Sequence, residues 1–377
     1  MKKICIITTV HPHDDVRIFH KQARALAKAG YRVCLLCPDF EGEADGITCY
    51  RIPVPKGRLG RMLQSSRAAY RRAALLEADL YHIHDPELLP LADRLRKEGR
   101  RVVYDVHEDL PKQILVKPWL PEWARKPLAK WFGRYEQRVA AGLTGVICAT
   151  GQIAGRFPGS ILFCNYPDGE EISQEVYASF PPYGTRRPRP CYLGSISAIR
   201  GIEQMVRALE GTGFRLQLAG NYETAALKIE TQRLPAYAQV DYHGHLDRGE
   251  VTQLLGSCTM GLVVLQPTEN YRESIPIKLL EYLLAGLPVV ASDFPYWREL
   301  VGEQSVLYVD PSSPQEIRKA MEFYQKNPDR AQKMGEKGRE LVLERYCLQT
   351  EVNRLLRYYS RWLGEEKGGR KDEHSAD

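Results

Sequence analysis

The chain has 377 residues, 44% hydrophobic and 27% charged, which is enough for two soluble globular domains. No apolar run approaches the roughly 20 residues that cross a bilayer, so a class built on membrane-spanning helices is excluded. The net charge of +6 is modest, and no nucleic-acid-binding module signature is present. Nine cysteines without a Cys-x-x-Cys or histidines at metal spacing argue against a zinc site. Their odd number argues against a complete disulfide framework, and free buried thiols in a reducing cytoplasm are expected.

The N-terminus has a basic start and an apolar run, as a leader would. The run is too short and no small-residue cleavage site follows, so 4–9 is expected to be a buried strand. A loop rich in histidine and acid follows, with His11, Asp15 and Arg17. Asp15 and Arg17 stand either as cleft residues or as an ion pair across one helical turn. An amphipathic helix is predicted over 16–29, closed by Gly30. Further β-rich runs at 32–37, 80–84, 102–106, 145–149 and 161–164 alternate with helical stretches such as 88–98. That alternation implies a parallel, doubly wound sheet whose ligands lie beyond the carboxyl ends of the strands. His84 and Asp85 fall at one such end; His84 either lines a cleft or takes part in a metal pair, and Asp85 is a candidate helix cap. His107 and Glu108 fall at the next strand end.

Positive charge is concentrated between residues 51 and 72 and between 117 and 138. In the second stretch it is interleaved with Trp119, Trp123, Trp131 and Phe132. Such a pattern fits an anionic membrane surface, or else aromatics in a core with a solvated charged face outside. Nucleic acid is not expected as a partner.

The segment 166–190, rich in proline, glycine and charge, is expected to join an N-terminal domain (1–165) to a C-terminal one (191–347). The strand–helix pattern restarts there: strands at 191–193, 215–219, 240–243, 260–265, 288–291 and 305–309, helices at 203–209, 248–255, 275–285 and 314–326. A last helix at 348–363 is expected to return to the first domain, and the polar tail 364–377 to be disordered.

Two places in the second half carry chemistry. Gly194-Ser195 through Arg200-Gly201 follows a strand and offers a glycine turn and a cation for a phosphate. The second is the run Glu273-Ser-Ile-Pro-Ile-Lys278-Leu-Leu-Glu281-Tyr-Leu-Leu-Ala-Gly-Leu-Pro-Val-Val-Ala-Ser. Ser274 is the expected N-cap, Ile275 and Pro276 the first turn, Ile277, Leu280 and Leu284 the core stripe, and Gly286 the C-cap. Lys278 and Glu281, three apart, share a face away from that stripe.

This run resembles the acid–spacer–acid signature of retaining glycosyltransferases of family 4, and the resemblance extends over nearly the whole chain. It implies a GT-B fold: α/β, with two Rossmann-like doubly wound domains facing across a cleft. It implies sugar transfer from a nucleotide diphosphate sugar to a hydroxyl, with no metal or other cofactor. Carried onto this sequence, Glu273 approaches the donor sugar, Glu281 holds the ribose and His107 contacts the sugar. Relatives commonly carry an arginine where this chain has Ser195 and a lysine where it has Arg200. The diphosphate is therefore expected to rest on Arg200 and Lys278, with Gly194, Ser195, Gly201, Ser274, Ile275 and Pro276 lining the donor site. His11, Asp15, Arg17, His84, Asp85 and Glu108 are the expected acceptor residues. A lipid-linked or saccharide acceptor, polysaccharide or glycoconjugate synthesis, and a cytoplasmic site at the membrane periphery complete the expectation. The rival readings are a GT-B sugar-nucleotide epimerase and a non-catalytic sugar-nucleotide-binding protein.

Overall fold

Short apolar runs between glycines and helices become strands buried on both faces, as a parallel sheet covered by helices requires. In the computed structural model, which describes residues 1–53, 65–117, 120–274 and 276–365, they assemble into two sheets, one in each of two units. One unit is Met1–Asn165 together with the chain from Glu351 onward; the other is Tyr166–Thr350. Parts of the expectations lie outside the described residues: most of the tail, the basic positions Lys56, Arg58 and Arg61, and Trp119 and Ile275.

The first sheet comprises β1 (Lys3–Ile7), β2 (Arg32–Cys37), β3 (Gly42–Ala44), β4 (Ile47–Arg51), β5 (Leu80–Ile83), β6 (Val102–Val106), β7 (Gly145–Cys148) and β8 (Ile161–Leu162). Their order is β3-β4-β2-β1-β5-β6-β7-β8, parallel except for the β3–β4 pair. The strand order reverses at β1, which pairs with β2 on one side and β5 on the other. The β3–β4 pair was not foreseen; it is short and only half apolar.

The predicted first helix begins as a π-wound segment, Val16–Ala23, and continues as Arg24–Lys28 to Gly30. The wider winding accompanies an inward-facing polar set: Arg17, Lys21 and Gln22 are all buried. The helix Leu348–Leu363 covers part of this sheet: Glu351 accepts a hydrogen bond from the Cys164 amide at 2.6 Å, and Trp362 lies against Gly145. No side chain fits at position 145, since a Cβ there would lie 2.2 Å from the Trp362 ring.

The second sheet comprises β9 (Pro190–Leu193), β10 (Leu216–Ala219), β11 (Val240–Gly244), β12 (Met260–Val263), β13 (Val289–Ser292) and β14 (Val306–Val309). It is parallel, in the order β11-β10-β9-β12-β13-β14, and reverses at β9. The stretch 166–190, read from the sequence as a connection, lies within this unit. Arg339 donates to the Ile172 carbonyl at 2.8 Å, and the Tyr183 hydroxyl to that of Thr259 at 2.5 Å. A long polar helix, Pro328–Arg345, went unread because few of its residues are apolar; it packs through Gly335 and Gly338, close to Gly286 and Leu283.

All nine cysteines are buried, and none is in a disulfide. Among the described residues no helix is long and apolar enough to cross a membrane.

Candidate functional site

Open parallel sheets bind ligands beyond the strand ends at the point where strand order reverses. In the first unit this is the end of β1, β5 and β6. Arg17 reaches across 88 positions to Asp105 in β6, placing Nε 3.0 Å from Oδ2 and Nη2 2.7 Å from Oδ1. Gln22 donates to the same carboxylate at 2.7 Å, and Arg17 also donates to the Phe163 carbonyl at 2.6 Å. Burial raises a carboxyl group, yet the Arg17 charge and His107 hold Asp105 well below the ordinary range.

Over this pair lie the histidines. His84 Nδ1 is 2.9 Å from His107 Nε2 and 3.5 Å from Asp105 Oδ2, and His107 Nε2 is 3.2 Å from Asp105 Oδ2. Burial brings His84 down to about 4, and it brings fully buried His82 well below its ordinary value; Asp105 opposes both shifts. Both are therefore neutral at neutral pH. His82 Nδ1 meets the Tyr359 hydroxyl at 2.6 Å. His82, His84 and Asp105 bring one ligand atom each within 4.8 Å of one another, as a metal site would. The Arg17 guanidinium already neutralises that carboxylate and would repel a cation, so the cluster is an ion-pair network.

Four sequence expectations change here. Asp15 and Arg17 do not pair with each other: Asp15 caps the first helix, accepting from the Arg17 and Ile18 amides at 2.9 and 2.8 Å. Arg17 is buried on Asp105 and is no open acceptor contact. Asp85 stands at an N-cap position but makes no side-chain cap. Its carboxylate accepts instead from the Thr8 hydroxyl (2.9 Å) and the Thr9 amide (2.6 Å) at the end of β1. His84 is buried beneath His107, only 2% exposed, so it supports the surface without lining it. His107, His11 and Glu108 remain accessible, with the rings of His11 and His107 5.5 Å apart. His11 Nδ1 lies 3.4 Å from Asp15, and that hydrogen bond raises the imidazole above its ordinary value against burial.

In the second unit, β9 ends at Gly194 (φ 114°), where a Cβ would fall 2.5 Å from Lys278 Cε and 2.6 Å from Nζ. Glycine is thus what lets the Lys278 side chain lie across the strand end. Gly201 (φ 78°) is required for the same reason, since its Cβ would lie 2.2 Å from the Val264 carbonyl oxygen. Lys278 Nζ is 3.3 Å from the Tyr192 hydroxyl and 4.9 Å from its ring centre. Burial, then the nearby Arg200 charge, bring this ammonium down to about 8, with Glu281 opposing. Arg200 donates to the Ser195 carbonyl at 3.2 Å and is also hydrogen-bonded to Tyr271 and Tyr192. Ser195 is exposed. Two cations and an open glycine turn at a strand end form a place for a polyanion.

The Glu273–Glu281 run is built differently from its reading. A short helix, Glu269–Glu273, precedes the main one, Ile277–Leu284, and Ser274 is the C-cap of the first, not the N-cap of the second. Pro276 takes the N-cap position without a side-chain bond, and Ile277 is exposed while Leu279, Leu280, Leu283 and Leu284 face the core. Ile275 lies outside the described residues. Gly286 (φ 69°) ends the helix where expected. Glu273 is exposed, and Trp297, fully buried, fixes its neighbour by donating its indole N–H to the Ser274 carbonyl at 2.8 Å. Glu281 is partly exposed and 3.3 Å from Arg248 Nη1.

Sequence reading missed Asp105, Tyr192 and Tyr271. An acid inside the buried strand Val-Val-Tyr-Asp-Val was the available signal, because such a charge needs a partner. Nothing local marked the tyrosines.

Comparison with known proteins agrees with this architecture. Residues 16–160 match a family model described as a glycosyl transferase 4-like domain, and residues 197–357 one described as glycosyl transferase-like. D-rhamnosyltransferase WbpZ of Pseudomonas aeruginosa is 22% identical over 278 residues, covering 70% of this chain and 68% of that protein. A glycosyltransferase of Rickettsia africae superposes with a TM-score of 0.74 at 12% identity, over 97% of this chain and 99% of that one. Anabaena HepE, solved in complex with UDP-glucose, superposes at 0.69 and 14% identity, over 96% and 100%. With both halves matched and this fold in each, the chain belongs to the glycosyltransferases of the family 4 type, with the GT-B fold.

Proposed function

We propose that the protein is a retaining glycosyltransferase using a nucleotide diphosphate sugar. It transfers the sugar to a hydroxyl of a lipid-linked or saccharide acceptor, in polysaccharide or glycoconjugate synthesis. The observation that carries this reading is the pairing of Lys278 and Arg200 at the open end of β9, across Gly194. As the acceptor oxygen bonds to the anomeric carbon, the bond from that carbon to the diphosphate oxygen breaks, and the hydroxyl proton passes to the departing phosphate oxygen. The two cations neutralise the charge gathering on the leaving group, so no metal is needed for that task. A lysine brought down to about 8 still carries its proton at neutral pH in most molecules, and an arriving diphosphate strengthens its hold on it. Glu281 grips the ribose in place of Arg248, and Glu273 approaches the sugar ring.

His107 is assigned to the sugar hydroxyls. Its Nε2 lies 3.2 Å from the ionised Asp105 carboxylate, which can only accept, so that nitrogen carries a proton and donates it there. The accessible His11 and Glu108 are assigned to the acceptor. We place the protein at the cytoplasmic membrane periphery, where a lipid-linked acceptor would be met.

The test is release of nucleoside diphosphate across a panel of nucleotide sugars, with chelator present and Glu281→Ala as control. Release with one donor class, undiminished by chelator and lost in the variant, is expected. Binding of no sugar nucleotide, read by ligand-induced thermal stabilisation, would overturn the reading.

A further inference from the structure

The 19-residue helix Glu122–Ala140 is amphipathic in an unusual sense: its outward face carries tryptophan and cations together. Ala129, Val139, Ala140 and the ion-paired Glu136 are buried, with Leu128, Phe132 and Tyr135 half-buried beside them. On the opposite side, Trp123 is 82% exposed and Trp131 62%. At 3.6 residues per turn, Trp123, Lys126, Lys130, Trp131, Arg134 and Arg138 fall within one sector of roughly 140°. All six are exposed, and Glu122 is the one exposed acid described on this helix. The preceding helix, Leu110–Val116, packs against it and exposes Leu115 and Val116, the latter 76%. The sequence alternative, aromatics in the core with charge outside, thus holds for Phe132 and fails for Trp123 and Trp131.

Core packing does not explain two outward tryptophans, and solubility disfavours them. Aromatic rings with an apolar body and a polar N–H, set among lysines and arginines, match the boundary between acyl chains and anionic headgroups. We propose that the outward face of Glu122–Ala140, with Leu115 and Val116 beside it, docks on the surface of an anionic phospholipid bilayer. The occupant follows from charge complementarity: four exposed cations against one carboxylate repel a second copy of the same face and attract a negative surface. The surface deepens the proposal of a membrane periphery and does not depend on sugar transfer.

The experiment is co-sedimentation of the full chain with phosphatidylcholine vesicles, and with vesicles holding about one-third phosphatidylglycerol. Tryptophan quenching by brominated lipid is read in parallel. Binding to the anionic vesicles alone, with quenching and with release by ~1 M salt, is expected. The double variant Lys126→Glu, Lys130→Glu should weaken binding roughly 30-fold, at about 1 kcal/mol for each cation lost. Trp123→Ser with Trp131→Ser should weaken it about tenfold and abolish quenching. Melting temperatures close to that of the parent chain show that the variants fold. No binding, equal binding to neutral vesicles, or variants that bind like the parent would overturn the proposal. So would a dimer in size-exclusion chromatography that the tryptophan variants dissolve. Donor binding, measured without vesicles, is expected to survive in both variants, so this proposal and the transferase reading fail separately.

Discussion

The two sheets end in different materials at their reversal points. In the first unit, Arg17, Gln22, His84 and Asp105 interlock below the surface, and only the upper layer, His11, His107 and Glu108, is open. In the second unit the same position is made of backbone, glycine and two cations, Lys278 and Arg200, that both reach the Tyr192 hydroxyl. A buried network fixes direction: each group is held by several others, so the orientation of the His107 ring is set by the fold. An open cationic turn fixes little and supplies charge, which suits a flexible diphosphate. The difference suggests that precision belongs to the first unit and charge neutralisation to the second.

The largest effect should come from breaking the first network. Asp105→Ala leaves Arg17 buried and unpaired, at a cost of about 3–5 kcal/mol. Denaturant melts should show the first unit unfolding early while the second is unchanged. Equal loss in both units, or none, would mean that the network does not hold the first unit together.

The converse experiment is Lys278→Ala. It should lower turnover by about 10²–10³-fold, in the range seen when a charge-stabilising donor is removed, with melting nearly unchanged. A stability loss as large as that of Asp105→Ala would erase the contrast between the units.

Acid should sharpen the contrast by a smaller amount. His82 and His84 are depressed by burial, so below about pH 6.5 the unfolded chain binds protons that the folded chain refuses. Stability of the first unit should therefore fall as pH drops from about 6.5 toward 4, by up to about 1.4 kcal/mol per pH unit for each histidine. His11, raised by Asp15, has the opposite sign, since its contribution is present at low pH and lost above its folded value. The folded Asp105 stays ionised throughout that window. A first unit as stable at pH 5 as at pH 7 would show that water reaches the two buried rings.

Legibility in the sequence follows the range of the interaction. Strands such as 32–37 and 102–106 were readable because apolar runs and glycine stops are local signals, and the helix stop at Gly286 was readable for the same reason. The β3–β4 pair, too short and too polar, was not. Glu273 and Glu281 stand out through the resemblance of their whole run to a family signature, but the break between their two helices does not, because Pro276 fits either a first turn or a junction. The Arg17–Asp105 pair was invisible, since nothing within either segment names a partner 88 positions away. Position 17 allows two local readings, a cleft residue or an ion pair with Asp15, and neither contains its actual partner. Trp123 and Trp131 were seen as a pattern; which way they face is a property of the folded helix.

The last helix has a consequence for biosynthesis. The first unit contains residues at both ends of the chain, with the whole of Tyr166–Thr350 made between them. At roughly 5–20 residues per second, its N-terminal part waits on the order of 10–40 s for Glu351, Tyr359 and Trp362 to be made. During that interval the Cys164 amide lacks Glu351, His82 lacks Tyr359, and Gly145 is uncovered. The second unit, continuous in the chain, can finish first. A nascent chain stalled before residue 351 should therefore carry a protease-resistant second unit attached to an unfinished first one.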